Sequence, residues 1–279
     1  MEMDKCMKEF GIFADKTATQ NKNYTYPSHT HDYHELYFLV SGKRRYFIGH
    51  KIYDVSPKNL VFIPRFETHK TTSLNMSGYD RYVLFVYEKS LRGFIELLGK
   101  EEFNRLMNCG CLKLPQNAAR QIENDLEILC NECRAVSPYS HVYLNHLVQD
   151  ILLCALRYGN EKSTSFVESA DKIQDISKFI QENYDTQITL DSAAKAVYME
   201  RTYFSKRFKQ LTGFGFQEFL TQTRISAARR MLKDTNLSII EIAGRCGFSS
   251  SNYFGDVFRR LNGVSPSEFR KGKRISKDE

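Results

Sequence analysis

The chain has 279 residues, with 40 Lys and Arg against 33 Asp and Glu, 42% hydrophobic residues and 26% charged ones. That length suggests about two domains, each able to bury a core, and the composition excludes a disordered or collagen-like chain. The net charge of +7 is uneven: residues 171–279 hold 19 basic and 13 acidic side chains, a surplus of 6, whereas residues 1–170 hold 21 and 20, a surplus of 1.

The first residues, through Phe13, contain no apolar run long enough for a secretory signal. The most apolar helical stretch, 141–159, carries Asn145, His146, Gln149 and Asp150 and will not span a bilayer. The expectation is a soluble, cytoplasmic protein with no membrane partner. Residues 24–88 read as short strands, with aromatic and β-branched runs at 35–40, 45–48, 60–63 and 79–87. Strands at about ten-residue spacing suggest a small barrel or a double-sheet roll. Lys43, Arg44 and Arg45 follow Ser41 and Gly42, which reads as an exposed turn ahead of an anion site.

From about residue 90 the period becomes helical. Cys109 with Cys111 and Cys130 with Cys133 invite a zinc reading, but Ile122, Leu126, Leu129, Cys130 and Cys133 share one apolar stripe. Ordinary buried thiols are the expectation. Leu144, Leu147, Val148, Ile151, Leu152 and Ala155 form a second stripe. It suits a dimer contact and equally suits packing on the barrel. The polar stretch 159–170 is the linker candidate.

Everything after 170 looks helical and contains a repeat at an offset of 50 residues: 203–213 lies over 253–263, matching Tyr, Phe, Phe, Leu and Gly, and Leu190 to Ala193 lies over Ile240 to Ala243. Each copy reads as two helices around a tight turn. Thr189 caps 190–197, followed by 201–210 ended by Gly213; Ser238 caps 239–246, followed by 252–261 ended by Gly263. Phe204, Phe208 and Leu211, or Phe254, Phe258 and Leu261, form the inner stripe. The outer faces offer Thr202, Ser205, Lys206 and Lys209, and Ser251, Asn252, Asp256 and Arg259. A helix packed on one side and tipped with hydrogen-bonding groups on the other is shaped for a major groove. Two generic helical hairpins would show the same stripe; the basic surplus favours nucleic acid.

Residues 240–270 closely resemble the signature of AraC/XylS-family transcription regulators, with Ile242-Ala243, Gly247-Phe248, Tyr253-Phe254, Phe258-Arg259, then Gly263, Ser265-Pro266 and Phe269-Arg270 in its frame. The first repeat fits the same domain. The resemblance implies two helix-turn-helix units joined by a long helix, about 216–233, reading adjacent major-groove segments of double-stranded promoter DNA. It implies base-reading roles for Thr202, Ser205 and Lys206 and for Ser251, Asn252 and Asp256, flanked by Arg201, Lys209 and Arg259. Asp256 departs from the basic residue usual there, which favours a weaker second reader over one that accepts from cytosine. Arg224 falls where the family's arginine is structural. The tail at 271–274 adds non-specific attraction.

His29, His31, Glu35 and Gly42 resemble the first cupin motif, although Asn23 stands where an upstream glycine is usual. Pro64 to His69 resemble the second, with Phe66 in the place of its glycine. Even spacing puts His29, His31, Glu35 and Tyr37 on one strand face, with His69 from a neighbouring strand. His29, His31, Glu35 and His69 are the candidates for a divalent metal; the favoured reading makes these four and Tyr37 the lining of a small-molecule pocket, with no catalytic residue and no required cofactor.

The expected architecture is α+β: a cupin-like ligand-sensing β-barrel over 1–115, a helical dimerisation or connector segment over 116–158, a linker at 159–170, and an all-α tandem helix-turn-helix domain over 171–279. The expected function is effector-controlled transcription regulation and not enzymology. The effector class is a sugar or related metabolite, the assembly a homodimer, and RNA polymerase the further partner if the protein activates. The alternatives are a metal-dependent cupin enzyme with a DNA-binding appendage, and a ligand-independent regulator.

Overall fold

The computed structural model describes residues 2–19, 30–74, 78–161 and 168–272. The chain divides into two compact units, Met1–Ser165 and Phe166–Glu279.

The first unit opens with α1 (Glu2–Glu9) and seven strands: β1 (Ile12–Thr19), β2 (His34–Ser41), β3 (Arg44–Ile48), β4 (Lys51–Val55), β5 (Asn59–Ile63), β6 (His69–Ser73) and β7 (Tyr79–Val86). A single tight helical turn, Glu88–Leu91, then leads to α2 (Arg92–Leu98), α3 (Lys100–Met107), β8 (Cys111–Lys113), α4 (Gln116–Arg134), α5 (Ser140–Tyr158) and β9 (Asn160–Glu161). The strands form two open antiparallel sheets, ordered β1-β7-β2-β5-β8-β9 and β4-β3-β6. Of the two expected forms, the double-sheet roll is the one found: the sheets make a jelly-roll-like pair and not a closed barrel.

The six-stranded sheet is covered on both faces, and its strand β2 shows why 36–40 reads as an unbroken apolar run. Leu36 and Phe38 join a core with Leu84, Ile122, Leu126, Leu129 and the α5 stripe. Tyr37 and Leu39 point the other way, into a core with Tyr46, Tyr53, Val61 and Val83 between the sheets. Successive residues of one strand thus serve two cores.

Leu144, Leu147, Val148, Ile151, Leu152 and Ala155 are all buried in the first of these cores. That settles the ambiguity of the stripe: it packs within its own chain and is not free to dimerise. Burying each large aliphatic side chain there contributes roughly 1.5–3 kcal/mol. Cys130 and Cys133 lie in the same core, and burial pushes both thiols up to about 12. Among the described residues no cysteine joins a metal-ligand cluster. β1 carried too little apolar alternation to be read from sequence; it is held by pairing all eight of its residues with β7.

The second unit is helical: α6 (Glu168–Glu182), α7 (Leu190–Ala196), α8 (Arg201–Thr212), α9 (Phe216–Asp234), α10 (Ile239–Arg245), α11 (Ser251–Asn262) and α12 (Pro266–Arg270). Thr189 and Ser238 cap α7 and α10 through reciprocal bonds with Ser192 and Glu241. These caps show that the first helices of the repeat align at an offset of 49, whereas α8 and α11 align at 50. The second turn is one residue longer, which the uniform offset of 50 had missed. Gly213 and Gly263 close α8 and α11 in left-handed conformation, φ 80° and 73°.

α9 is tied to the earlier part of its unit by Arg224. Its Nε donates to the Tyr184 carbonyl and its Nη2 to that of Thr186, each at 2.8 Å, and its guanidinium lies 5.8 Å from the Phe248 ring centroid. Arg224 is structural here, as the resemblance implied. The same backbone segment approaches Gly247, where a Cβ would meet the Tyr184 and Asp185 carbonyl oxygens at 2.8 Å. The 184–186 loop therefore meets both the linker helix and the turn of the second hairpin.

Candidate functional site

Two places in the fold bring chemistry-bearing side chains together. The first is a cavity of about 100 Å³ between the sheets. Glu35 and Tyr37 reach it from β2, His69 and Thr71 from β6, and Arg44, Tyr46, Tyr79 and Arg81 complete its polar wall beside Val83 and Phe85.

The loop that delivers His69 keeps the shape of the motif it departs from. Phe66, standing where glycine is usual, takes left-handed backbone with φ 62°. Its N–H donates to the His31 carbonyl at 2.7 Å, and its ring is fully buried. Burial of the ring offsets the cost of the backbone conformation, about 1–2 kcal/mol.

His31, Glu35 and His69 converge, their ligand atoms lying within 4.8 Å of one another. His31 Nε2 is 3.0 Å and His69 Nε2 3.6 Å from the Glu35 carboxylate. The Nδ1 of His31 meets the Tyr33 carbonyl at 2.8 Å, and that of His69 meets the Glu67 carbonyl at 2.9 Å. With Nδ1–H spent on a carbonyl, each ring turns Nε2 to the carboxylate, so a shared proton or a cation must lie among the three groups. Burial drives the Glu35 carboxyl up, but the close approach of the His31 and His69 rings outweighs it and holds the group well below the usual range. The donor set would suit a divalent cation with open positions.

Two details of the sequence reading change. His31 precedes β2, so its meeting with Glu35 comes from the loop and not from strand alternation. His69 comes from the facing three-stranded sheet and not from a neighbouring strand. His29 lies outside the described residues. Glu35, Tyr37 and His69 line the cavity, with His31 against the Glu35 side.

Arg44, expected in an exposed turn, is only 1% exposed. Its Nε donates to Thr71 Oγ1 at 3.2 Å and its guanidinium lies 4.2 Å from the Tyr79 ring centroid. Arg45 instead pairs with Asp54 across β3 and β4, at 2.6 and 2.9 Å. Alternation on β3 separates the two arginines, sending Arg44 inward and Arg45 outward. Arg81 was missed altogether; its position on β7 opposite Leu39 is the signal that strand register would have supplied.

The second place is the outer face of the helical hairpins. Glu200 and Ser250 cap α8 and α11, each accepting from the N–H three residues on. Thr202, Lys206 and Lys209 are exposed on α8, with Ser205 half-buried beside them. On α11, Asn252, Asp256 and Arg259 are exposed, with Ser251 half-buried. Arg201 lies 3.6 Å from Asp191 of α7. Tyr203 and Tyr253, exposed at matching positions, were not singled out from sequence because the repeat made them look like core.

Residues 16–141 match the model of an AraC-like ligand binding domain, and residues 193–272 match a helix-turn-helix domain. The chain is 23% identical over 261 residues to the HTH-type transcriptional activator RhaS of Escherichia coli O1:K1, covering 89% of this chain and 88% of that protein. It is 40% identical over 96 residues to the HTH-type transcriptional regulator YijO of Escherichia coli K12, covering 34% of each. Among solved structures, ToxT from Vibrio cholerae aligns over 94% of this chain and 98% of its own, at 17% identity and a TM-score of 0.39.

Proposed function

The chain belongs to the AraC family of transcription regulators, and from that membership we propose that a small metabolite between the two sheets governs how the tandem hairpins engage a promoter. The chain is a DNA-binding regulator with an N-terminal ligand-binding domain, and not an enzyme, as its relatives are regulators. No helix among the described residues is long and apolar enough to cross a membrane.

The observation that carries the DNA reading is the pairing of α8 and α11. Each has twelve residues, a capped N-terminus, a left-handed C-cap, a buried Phe pair and an exposed polar face. Thr202, Ser205, Lys206, Ser251, Asn252 and Asp256 are the residues we assign to base edges, with Arg201, Lys209 and Arg259 directed to phosphates. The effector would meet Glu35, Tyr37 and His69, backed by His31, and the family resemblance offers a sugar or related metabolite first.

A homodimer belongs to this reading. The buried stripe of α5 cannot serve it; the opposite face, where Val142, Tyr143 and Leu153 are exposed beyond Tyr139, is the surface we assign to it. RNA polymerase is the further partner of an activator. Ligand can act only by favouring one arrangement of the protein over another.

The direct test is selection of bound sequences from a random DNA library, followed by a metabolite screen against the selected complex. A recovered two-part site whose binding shifts with a metabolite supports the reading. Recovery of no sequence preference overturns the promoter role, and a fixed affinity throughout the screen overturns effector control.

A further inference from the structure

The cavity between the sheets has a charge inventory that a neutral sugar would not use. Its walls hold two guanidinium groups, Arg44 and Arg81, and one carboxylate, Glu35. Both arginines are buried, with Arg44 donating to Thr71 Oγ1, and an anion that reaches two guanidinium groups away from water meets strong charge-assisted donors. The carboxylate is already engaged by His31 and His69.

Strand register separates the two kinds of charge. On β2 and β7, Glu35 stands opposite Phe85, while Arg81 stands opposite Leu39, four residues farther along. On β6 and β3, His69 stands opposite Ile48, while Arg44 stands opposite Ser73, again four residues along. At strand rise this is about 13 Å between backbone positions. The cavity thus has an imidazole–carboxylate end and a basic end, with one arginine contributed by each sheet.

Tyr37 lies between the two ends, opposite Val83. Its hydroxyl is buried and has no hydrogen-bond partner among the described residues. The Arg81 guanidinium is 5.6 Å from its ring centroid, and the charges of Arg44 and Arg81 both oppose the upward push of burial on its phenol. A buried donor without an acceptor is uncommon in a folded chain and is satisfied when a ligand oxygen arrives.

We propose that the effector is a small organic acid whose carboxylate is held between Arg44 and Arg81, with the Tyr37 hydroxyl donating to it. The assignment rests on the reading of this cavity as the effector site. A guanidinium presents a planar fork that matches a carboxylate, and one anion bonded to both arginines would tie the two sheets together. The limited volume suits an acid group on a short stem, with the rings of Tyr46, Tyr79 and Phe85 taking the remainder.

The test uses the full chain in thermal-shift and calorimetric titrations with matched acids and neutral partners: gluconate and glucitol, lactate and lactamide, benzoate and benzamide, with inorganic phosphate as a separate arm. At least one acid is expected to raise the melting temperature while its neutral partner does not. Arg81→Gln should weaken that acid at least tenfold. Tyr37→Phe, which removes no hydrogen bond among the described residues, should weaken it severalfold without lowering the melting temperature of the unliganded chain.

A panel in which no acid binds overturns the proposal, as does a neutral partner that binds as tightly. Binding of phosphate alone, or of an acid unaffected by both substitutions, also overturns it. A neutral compound that binds and alters promoter affinity would sink the acid assignment and leave effector control standing. An acid that binds through Arg81 without changing promoter affinity would support the site and count against effector control.

Discussion

Tyr198 and Gly247 stand at the same step of their two hairpins, the second residue past the first helix, and both take left-handed backbone, with φ 56° and 75°. Their surroundings differ. Tyr198 is 93% exposed, whereas a side chain at Gly247 would meet backbone carbonyls within 3 Å. Gly247→Ala should therefore cost more than about 2 kcal/mol, combining a left-handed non-glycine residue with backbone displacement. Tyr198→Gly should lie within about 1 kcal/mol of neutral, because relief of the backbone is offset by added freedom in the unfolded chain. Calorimetric melting of the two variants checks the asymmetry; equal losses would refute it.

Arg224 fastens the linker helix to the 184–186 loop with two bonds to carbonyls. Arg224→Ala should destabilise the helical unit by about 1–2 kcal/mol, since two charged hydrogen bonds to backbone carbonyls, one part-buried and one exposed, are lost. It should also reduce discrimination between DNA sites whose two halves are spaced differently, because the clamp holds together elements of both hairpins. Binding to a spacing series reads this directly. A variant that loses affinity for every spacing alike would show a stability role alone.

On the faces proposed to meet DNA the two caps differ in charge. Glu200 accepts backbone N–H bonds at the start of α8, which hold its carboxyl below the usual range, while Ser250 does the same work uncharged on α11. Glu200→Ser keeps a cap and removes a negative charge from the proposed DNA face. It should strengthen binding to all sequences severalfold at low salt, an effect that fades as salt rises. Lys206→Ala should instead change base preference in one half-site, by about 1–3 kcal/mol of discrimination. Asp256→Arg should strengthen binding and steepen the salt dependence by about one phosphate contact. Titrations at several salt concentrations separate the three outcomes.

The helical unit was legible because its repeat, caps and Phe pairs are local in sequence, and local spacing carries them. The second hairpin's longer turn escaped because one uniform offset cannot represent an inserted residue. The N-terminal unit was legible as strands forming a barrel or a double-sheet roll, but not as one of these over the other. Sheet order is set by pairings between distant residues, such as β1 with β7, that no local pattern contains. Arg44 shows the same limit at the site. Next to Ser41 and Gly42 it looks like a turn residue, and only the pairing of β3 with β4 and β6 turns it inward. Glu35 and His69 were found because motif spacing marks them; Arg81 and Thr71 belong to no motif.

Glu88 gathers three partners: His34 and Arg65 at 3.6 and 3.4 Å, and Lys100. The approach of His34, then hydrogen bonding from Lys100, and the charge of Arg65 lower its pKa from 4.5 to about 2. A carboxylate depressed by folding contributes its stability in full above the unfolded value, and loses it as pH falls toward the folded one. The first unit should therefore weaken between about pH 4.5 and 2, by roughly 1 kcal/mol after allowing for solvent screening of a partly exposed group. Glu88→Gln should be less stable at neutral pH and show a flatter acid limb. Urea melts at stepped pH check this, and an unchanged acid limb would refute it.

α5 carries two faces with opposite expected responses. Leu152 is fully buried in the core beneath the six-stranded sheet, so Leu152→Ala should cost about 2–5 kcal/mol through lost transfer energy and the cavity left behind. Val142 is 60% exposed on the other side, beside Tyr139 and Tyr143, so Val142→Asp should leave the melting temperature of the isolated protomer nearly unchanged. If a second copy docks on that face, the aspartate places a charge in an apolar contact and should shift the chain from dimer to monomer in sedimentation. The two measurements are independent. Loss of dimer without loss of fold in Val142→Asp locates the interface, and a dimer that survives it places the interface elsewhere on the molecule.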